Sequence, residues 1–133
     1  MKETHIIALI IGLTGLQAGL IFVGILPVLS VNSSANMLFL IGRIAIIGYM
    51  GWIFSGPGFK EAAIKGGIVT LVSVITIYSC VFIGIIIHKP VLGLSFESQS
   101  NLLFYLLIMG IINVLFGVIL ALISALIGRK FKK

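Results

Sequence analysis

The chain has 133 residues, of which 60% are hydrophobic and only 9% are charged, and its formal net charge is +6. Soluble domains are about 45 to 50% apolar and about 25% charged, so this composition cannot cover a water-soluble surface. It predicts an all-α polytopic membrane protein with one integral membrane domain over residues 1–133, which leaves no room among these residues for a soluble domain.

Four apolar stretches are long enough to cross a bilayer, because a hydrocarbon core of about 30 Å needs about 20 helical residues. The predicted transmembrane spans are 6–29, 37–54, 66–87 and 102–127. The first span follows a short polar segment, as a secretory signal does. Its apolar run is longer than the about 7 to 15 residues of a signal core, so we interpret it as a retained helix.

The basic residues predict the orientation. Lys2 precedes the first span, Lys60 and Lys65 lie between the second and third spans, and the first loop carries no charge. Lys and Arg accumulate on the cytoplasmic side of membranes. The pattern therefore predicts a multi-pass protein of the cell membrane with cytoplasmic N- and C-termini and a cytoplasmic middle loop.

The C-terminal tail is the most basic segment of the chain. Basic residues near an anionic membrane surface contribute about 1 kcal/mol each to binding. The candidate contacts with lipid headgroups are Arg129, Lys130, Lys132 and Lys133. Anchoring of the topology is the simpler role for these residues, and the absence of a basic patch interleaved with aromatic residues outside the spans argues against nucleic acid as a partner.

The two halves of the chain share a weak repeat. "FVGILPVLSVNSSANMLF", 22–39, aligns with gaps to "FIGIIIHKPVLGLSFESQSNLLF", 82–104, through F-x-G-I, PVL and N-x-L-F. A prolyl residue, Pro27 or Pro90, follows each outgoing span, where a missing N–H does least harm. One interpretation is two tandem helical hairpins related by a pseudo-twofold along the membrane normal, and the other is chance similarity of apolar sequences.

Small residues recur on one face of every span, at about 100° per residue. Such faces let helix backbones approach closely in a membrane, where the hydrophobic effect does not drive helix association. The packing faces predicted in this way are Ala8, Gly12, Gly15 and Gly19; Gly42, Ala45, Gly48 and Gly51; Gly66, Thr70, Ser73, Thr76, Cys80 and Gly84; and Gly110, Asn113, Gly117, Ala121, Ser124 and Gly128.

Arg43 is a charged residue near the middle of the second span, where insertion of a charge costs about 2.5 to 3.5 kcal/mol. The chain has no Asp, and Glu3, Glu61 and Glu97 lie outside the predicted spans. If the glycines form the packed face, Arg43 projects to the opposite side with Phe39, Ile46, Ile47 and Met50. Three roles remain open: reaching outward to lipid phosphates or Glu97, facing a second protomer or partner subunit, or lining a polar cavity for an anion.

Two further polar residues, Gln17 and Asn113, lie near the centres of the first and fourth spans. They would bond to each other only if these helices are neighbours, and Gln17 is turned away from the glycines of its own helix. Structural hydrogen bonding is the simplest role for both residues. Thr70, Ser73 and Thr76 are expected to bond back to carbonyls of their own helix.

The residue types that the spans lack argue against several activities. Proton-coupled transport usually needs an intramembrane carboxylate or histidine, and the spans contain neither. His5 and His88 fall on opposite sides of the predicted membrane, and Cys80 is the only cysteine, so we expect no metal site and no disulfide within the chain. No nucleophile has a base near it and no phosphate-binding loop follows a strand, so we expect no catalytic residue and no cofactor.

The middle of the chain resembles a known group. "GYMGWIFSGPGFKEAAIKGGIV", 48–69, combines a G-Y-x-x-G helix end, a short glycine turn and an A-x-x-x-G-G helix start. In this it is similar to the small glycine-rich four-helix membrane proteins of unknown function found in archaea and bacteria. The resemblance implies four helices and no assigned chemistry. The turn itself is expected to open the third helix with a Glu61–Lys65 pair four residues apart.

These observations predict a non-enzymatic membrane protein that acts as an accessory or structural component, either as a homo-oligomer or beside a larger partner in the lipid bilayer. The alternative is a small oligomeric channel or transporter. In that case Arg43, Gln17 and Asn113 would contact an anion or polar solute. A lipid-active enzyme is the third and weakest hypothesis.

Overall fold

A computed structural model describes residues 3–27, 29, 33–89, 91 and 99–132, and this part of the chain is helical without any strand. The helices are α1 (Glu3–Phe22), α2 (Ser34–Ile53), α3 (Phe59–Ile86) and α4 (Gln99–Phe131). All four are long and apolar enough to cross a membrane. The predicted all-α class with four helices is therefore confirmed.

The helices pack around a central pair. α2 and α3 contact each other, and both contact α1 and α4. Within the described residues α1 and α4 do not meet, so they lie on opposite sides of the α2–α3 pair. A twofold axis that relates the two hairpins exchanges α1 with α3 and α2 with α4. Because α2 and α3 are in contact, such an axis would also bring α4 and α1 into contact. The packing therefore does not fit the pseudo-twofold interpretation.

α1 ends at Phe22, seven residues before the predicted end of the first span at 29. Gly24 has a φ of 79°, and the N–H groups of Gly24 and Ile25 donate to the carbonyls of Ile21 and Leu20 at 3.1 and 2.9 Å. This is the Schellman pattern that closes helices at a left-handed residue, and glycine adopts that conformation without steric cost. Hydropathy alone could not detect this stop, because the following residues remain apolar.

α3 ends in the same kind of turn, with His88 in the left-handed position at a φ of 57° and Lys89 N donating to Gly84 O at 2.8 Å. The repeat aligns Gly24 with Gly84. Gly24 holds the left-handed position of the turn after α1, whereas His88 holds that position after α3. Gly84 lies inside α3, packed against the Lys89 carbonyl. The F-x-G-I match therefore joins two structurally different positions, which favours chance similarity. Pro90 lies outside the described residues.

Small residues bring α4 close to both central helices. Gly51 of α2 and Gly66 of α3 lie against Ala121, and Gly117 lies against the side chain of Thr70. A Cβ at any of these three glycines would overlap its neighbour. α2 and α3 therefore reach α4 through backbone surfaces that tolerate no side chain, as expected for close helix packing in a membrane.

The predicted packing face of α1 is wrong. A Cβ at Gly12, Gly15 or Gly19 would meet no atom within 4 Å, and Ala8 and Gly12 are exposed. The buried face of α1 is instead formed by Ile6, Ile10, Thr14, Gln17, Ala18 and Ile21. This helix packs through branched and polar side chains, and its glycines lie at the surface of the bundle.

Two contacts place the first residue of α1, the last residue of α4 and the turn between α2 and α3 at one end of the bundle, which we call the tail end. Lys65 Nζ donates to Glu3 Oε2 at 2.8 Å, and the ring of Trp52 stacks on that of Phe131 with centroids 6.4 Å apart. The predicted pair is also present, since Lys65 Nζ lies 3.9 Å from Glu61 Oε1. The opposite end, where α1 and α3 end, is the loop end.

Candidate functional site

Arg43 lies halfway along α2, as the tenth of its 20 residues. At about 1.5 Å per residue, this places its Cα about 14 Å from either end of the helix. Its side chain is half-buried and shares a groove with residues of α3 and α4. The prediction that Arg43 points away from the packed face is therefore wrong, because Ile47 and Met50 on the same side of α2 belong to the core while Ala45 is exposed.

We call the cavity beside this residue the Arg43 groove. It has a volume of about 290 Å³ and lies between α2 and α4 with α3 as its floor. The polar side chains that line it are Arg43, Thr70, Ser73, Tyr78, Tyr105 and Asn113. These side chains come from three helices, so the groove exists only in the folded bundle.

The spacing of α2 and α4 explains where the groove begins. Toward the tail end the two helices approach closely, since Gly51 lies against Ala121 and a Cβ at Gly48 would lie 3.1 Å from Ser124 Oγ. Beyond this contact, toward the loop end, the groove opens between the two helices. Arg43 and Phe116 line the groove there.

The groove opens sideways between α2 and α4. On the α2 rim, Leu40 and Ile44 expose 44% and 36% of their surface, and on the α4 rim Phe116 exposes 60%. On the floor, Thr70 and Ser73 are buried. The Arg43 groove is thus accessible from the side of the bundle between these apolar side chains, and the hydroxyl groups of Thr70 and Ser73 lie below them.

Most polar groups of the groove already have hydrogen-bond partners. Thr70 Oγ1 donates to Gly66 O at 2.8 Å, Asn113 Nδ2 donates to Met109 O at 2.8 Å, and the Tyr78 hydroxyl donates to Leu106 O. Ser73 Oγ shares a hydrogen bond of 3.2 Å with Thr14 Oγ1 of α1. The predicted bonding of Thr70 and Thr76 to their own helix is confirmed, whereas Ser73 bonds to α1 instead.

Arg43 differs from these groups, because its guanidinium makes no hydrogen bond or ion pair with any residue that the structure describes. The described carboxylates, Glu3 and Glu61, lie at the tail end beside Lys65. Glu97, one of the anions considered for Arg43, lies outside the described residues. Five donors in a half-buried position at mid-helix thus lack an acceptor within the described bundle.

Gln17 and Asn113 do not form a site together. Gln17 is buried and its Nε2 donates to Asn36 Oδ1 of α2 at 3.1 Å, while Asn36 Nδ2 donates to Pro27 O at 3.2 Å. Asn113 lies across the bundle on the exposed side of α4. Gln17 Oε1 is the one buried side-chain polar atom of the described residues without a hydrogen-bond partner. Gln17 therefore helps to join α1 to α2, apart from the Arg43 groove.

The basic tail packs on aromatic rings at the tail end. The guanidinium of Arg129 lies 4.9 Å from the ring centre of Phe59, and Lys132 Nζ donates to Trp52 O at 2.8 Å while lying 5.9 Å from the Trp52 ring centre. Lys130 is exposed, and Lys133 lies outside the described residues. Two of the four candidate headgroup contacts thus have partners within the bundle, and both stay exposed.

Sequence reasoning missed the two tyrosines of the groove and the inward direction of Arg43. The spacing of α2 residues indicates the direction of Arg43. Successive intervals of 7, 4 and 3 residues place Asn36, Arg43, Ile47 and Met50 on one face of the helix. Tyr78 falls on the groove side of α3 with Thr70, eight residues earlier. Choosing the glycines as the sole packed face of α2 concealed this stripe.

Across the described residues, no three side chains of His, Cys, Asp or Glu converge in a way that would hold a metal ion. The site offers the guanidinium of Arg43 at mid-helix, without a partner in the described part of the chain, beside hydroxyl and amide groups that mostly donate to other acceptors. Comparison with known proteins adds no family to this description: no family model, curated protein or solved structure matches the chain.

Proposed function

We propose that this chain is a non-enzymatic, multi-pass protein of the cell membrane that acts as an accessory component beside a larger membrane partner, which it contacts through the Arg43 groove. The observation that carries this proposal is the guanidinium of Arg43, which has no partner among the described residues and lies in a groove that opens toward the side of the bundle. Charged groups within membranes pair with one another or face a polar cavity, because leaving them unpaired in lipid is costly.

The proposed orientation places the tail end in the cytoplasm. Lys65 and Arg129 lie there, together with the exposed Lys60 and Lys130. Trp52 at this end suits a membrane interface, where Trp and Tyr accumulate. Basic residues at one end of a helical bundle favour that end as the cytoplasmic one.

The test is purification of the tagged chain from its native membranes, with copurifying proteins identified by mass spectrometry. We expect a stoichiometric membrane protein with the parent chain, its loss with Arg43→Gln, and its retention with Lys60→Gln, which changes an exposed cation far from the groove. Recovery of the parent chain alone as a monomer would contradict an accessory function. Recovery of a dimer of this chain would favour the homo-oligomer.

A second candidate function is a channel or transporter for an anion or polar solute. The observation that favours it is the set of hydroxyl and amide groups around Arg43. Against it, Gly48 and Gly51 bring α2 against α4 at the tail-end side of the groove, so a pathway would need a second chain to continue it. Anion flux in liposomes should then fall with Arg43→Leu, and equal flux for the two chains excludes this function.

A further inference from the structure

We propose that the occupant of the Arg43 groove is a transmembrane helix of a different protein that carries an Asp or Glu near the middle of its span. The inference rests on the proposed accessory function and specifies the chemistry of the partner. Three observations carry it: the depth of Arg43, the sideways opening of its groove, and the positions of the acidic residues in this chain.

Depth restricts which anions can reach the guanidinium. Arg43 is at the midpoint of α2, and the middle of a hydrocarbon core of about 30 Å lies about 15 Å from either headgroup layer. Its neighbours in the groove, Ser73 and Asn113, belong to the middle turns of α3 and α4. An acceptor for Arg43 must therefore be held at mid-depth, as a side chain on a membrane-spanning helix is.

The opening of the groove fits a helix rather than a dissolved ion. The rim is apolar and exposed at Leu40, Ile44 and Phe116, so an apolar helix can cover it while one polar side chain enters below. Thr70, Tyr78 and Asn113 donate to main-chain carbonyls, so they offer a small anion few free donors besides Arg43. A carboxylate, in contrast, satisfies a guanidinium through two parallel hydrogen bonds.

The described helices of a second copy of this chain supply no carboxylate at mid-depth. The chain contains three acidic residues and no Asp. Glu3 and Glu61 lie at the tail end beside Lys65, and Glu97 precedes the first residue of α4 in the sequence. The two described carboxylates thus favour a protein of different sequence as the source of the neutralising charge, which is the heteromeric form of the accessory function.

The partner chemistry can be tested with synthetic helices. The full chain is reconstituted in phosphatidylcholine vesicles with a donor dye at Lys130→Cys in a Cys80→Ser background. Acceptor-labelled leucine–alanine helices of about 22 residues carry Asp, Asn or Leu at the centre. Energy transfer measures association, and we expect the Asp helix to bind about tenfold more tightly than the Leu helix, with Asn between them.

Variants assign the preference to Arg43. It should disappear with Arg43→Gln and persist with Arg43→Lys, which keeps a cation, and with Lys60→Gln. Helical circular dichroism of each variant verifies the fold. Equal binding of the Asp and Leu helices to the parent chain would overturn the proposal, as would an Asp preference that survives Arg43→Gln.

This inference rests on the accessory function, and identification of the native partner distinguishes the failure of one from the failure of the other. If a partner copurifies in an Arg43-dependent manner but has no acidic residue within its spans, or if the synthetic helices show no preference, the accessory function stands and the proposed partner chemistry fails. If the Asp helix binds but no native partner copurifies, the accessory function fails while the groove retains its preference.

Discussion

Gly66 of α3 lies so close to Ala121 of α4 that a methyl group added at Gly66 would overlap the methyl group of Ala121. Gly51 of α2 approaches the backbone of Ala121 from the other side. Ala121 is fully buried. One turn of α4 is thus held between both central helices, and this contact forms the tail-end boundary of the Arg43 groove.

Gly66→Ala should destabilise the bundle, because α3 and α4 must move apart to accept the methyl group. Overpacking of a filled site costs about 1 to 3 kcal/mol. Gly12→Ala is the matched control, since the same methyl group meets nothing within 4 Å there. Unfolding by denaturing detergent in mixed micelles measures both changes, and equal stability of the two variants would contradict the close packing at Gly66.

The different packing around Gly12 and Gly66 shows what the sequence can and cannot predict. Both glycines lie in apolar spans and both belong to small-residue faces, so they are indistinguishable by composition and spacing. Four helices follow from hydropathy because each span must be apolar over about 20 residues. Which face of a span packs depends on its neighbours, and Gly12, Gly15 and Gly19 face away from every helix.

The same dependence on neighbouring helices explains why the sequence predicts only part of the Arg43 groove. Arg43 was identifiable as exceptional from sequence, because a mid-span charge without a carboxylate partner is costly. Its direction was predicted wrongly, since α2 buries Ile47 and Met50 in the core as well as packing Gly51 against Ala121. Tyr78 and Tyr105 join the groove through the approach of α3 and α4, which no periodicity in a single helix reveals.

Arg43→Met should raise the stability of the isolated chain. The unpaired guanidinium contributes no hydrogen bond within the described bundle, and removing it from mid-depth can recover up to about 3 kcal/mol on insertion scales. Chemical unfolding in lipid bicelles compares the variant with the parent chain. Lys60→Met, at an exposed site, should change stability by less than about 0.5 kcal/mol.

A loss of stability in Arg43→Met would mean that Arg43 has a partner within its own chain. The sign of the stability change therefore distinguishes a role of Arg43 in assembly from a role in folding. A stabilised variant that no longer copurifies with the native partner would be the combined result expected for assembly.

Asn36→Leu should cost more stability than Gln17→Leu. Asn36 accepts from Gln17 Nε2 and donates to Pro27 O, so its loss removes both bonds and leaves the buried Gln17 amide without this partner, at about 1 to 3 kcal/mol. Gln17→Leu removes the orphan Oε1 together with a hydrogen bond that averages about 0.6 kcal/mol in membrane helices. Unfolding free energies of the two variants provide the comparison, and the reverse order would contradict this network.

The proximity of Glu3 and Lys65 can be tested by cross-linking. In a Cys80→Ser background, the pair Glu3→Cys and Lys65→Cys should react with a short bismaleimide to give an internally linked chain of altered gel mobility. The ion pair joins these positions at 2.8 Å. Glu3→Cys with Lys89→Cys, at opposite ends of the bundle, should not link, and efficient linking of that control pair would contradict the helix arrangement.

Photo-crosslinking in native membranes tests assembly at the Arg43 groove most directly. A photoreactive residue replaces Phe116 on the groove rim or, as the control, Leu16 on the opposite helix α1; the two side chains are 60% and 56% exposed. We predict one dominant membrane protein cross-linked at position 116, absent with Arg43→Gln, and only lipid adducts at position 16. Only lipid adducts at position 116, or a protein adduct unchanged by Arg43→Gln, would contradict assembly through Arg43.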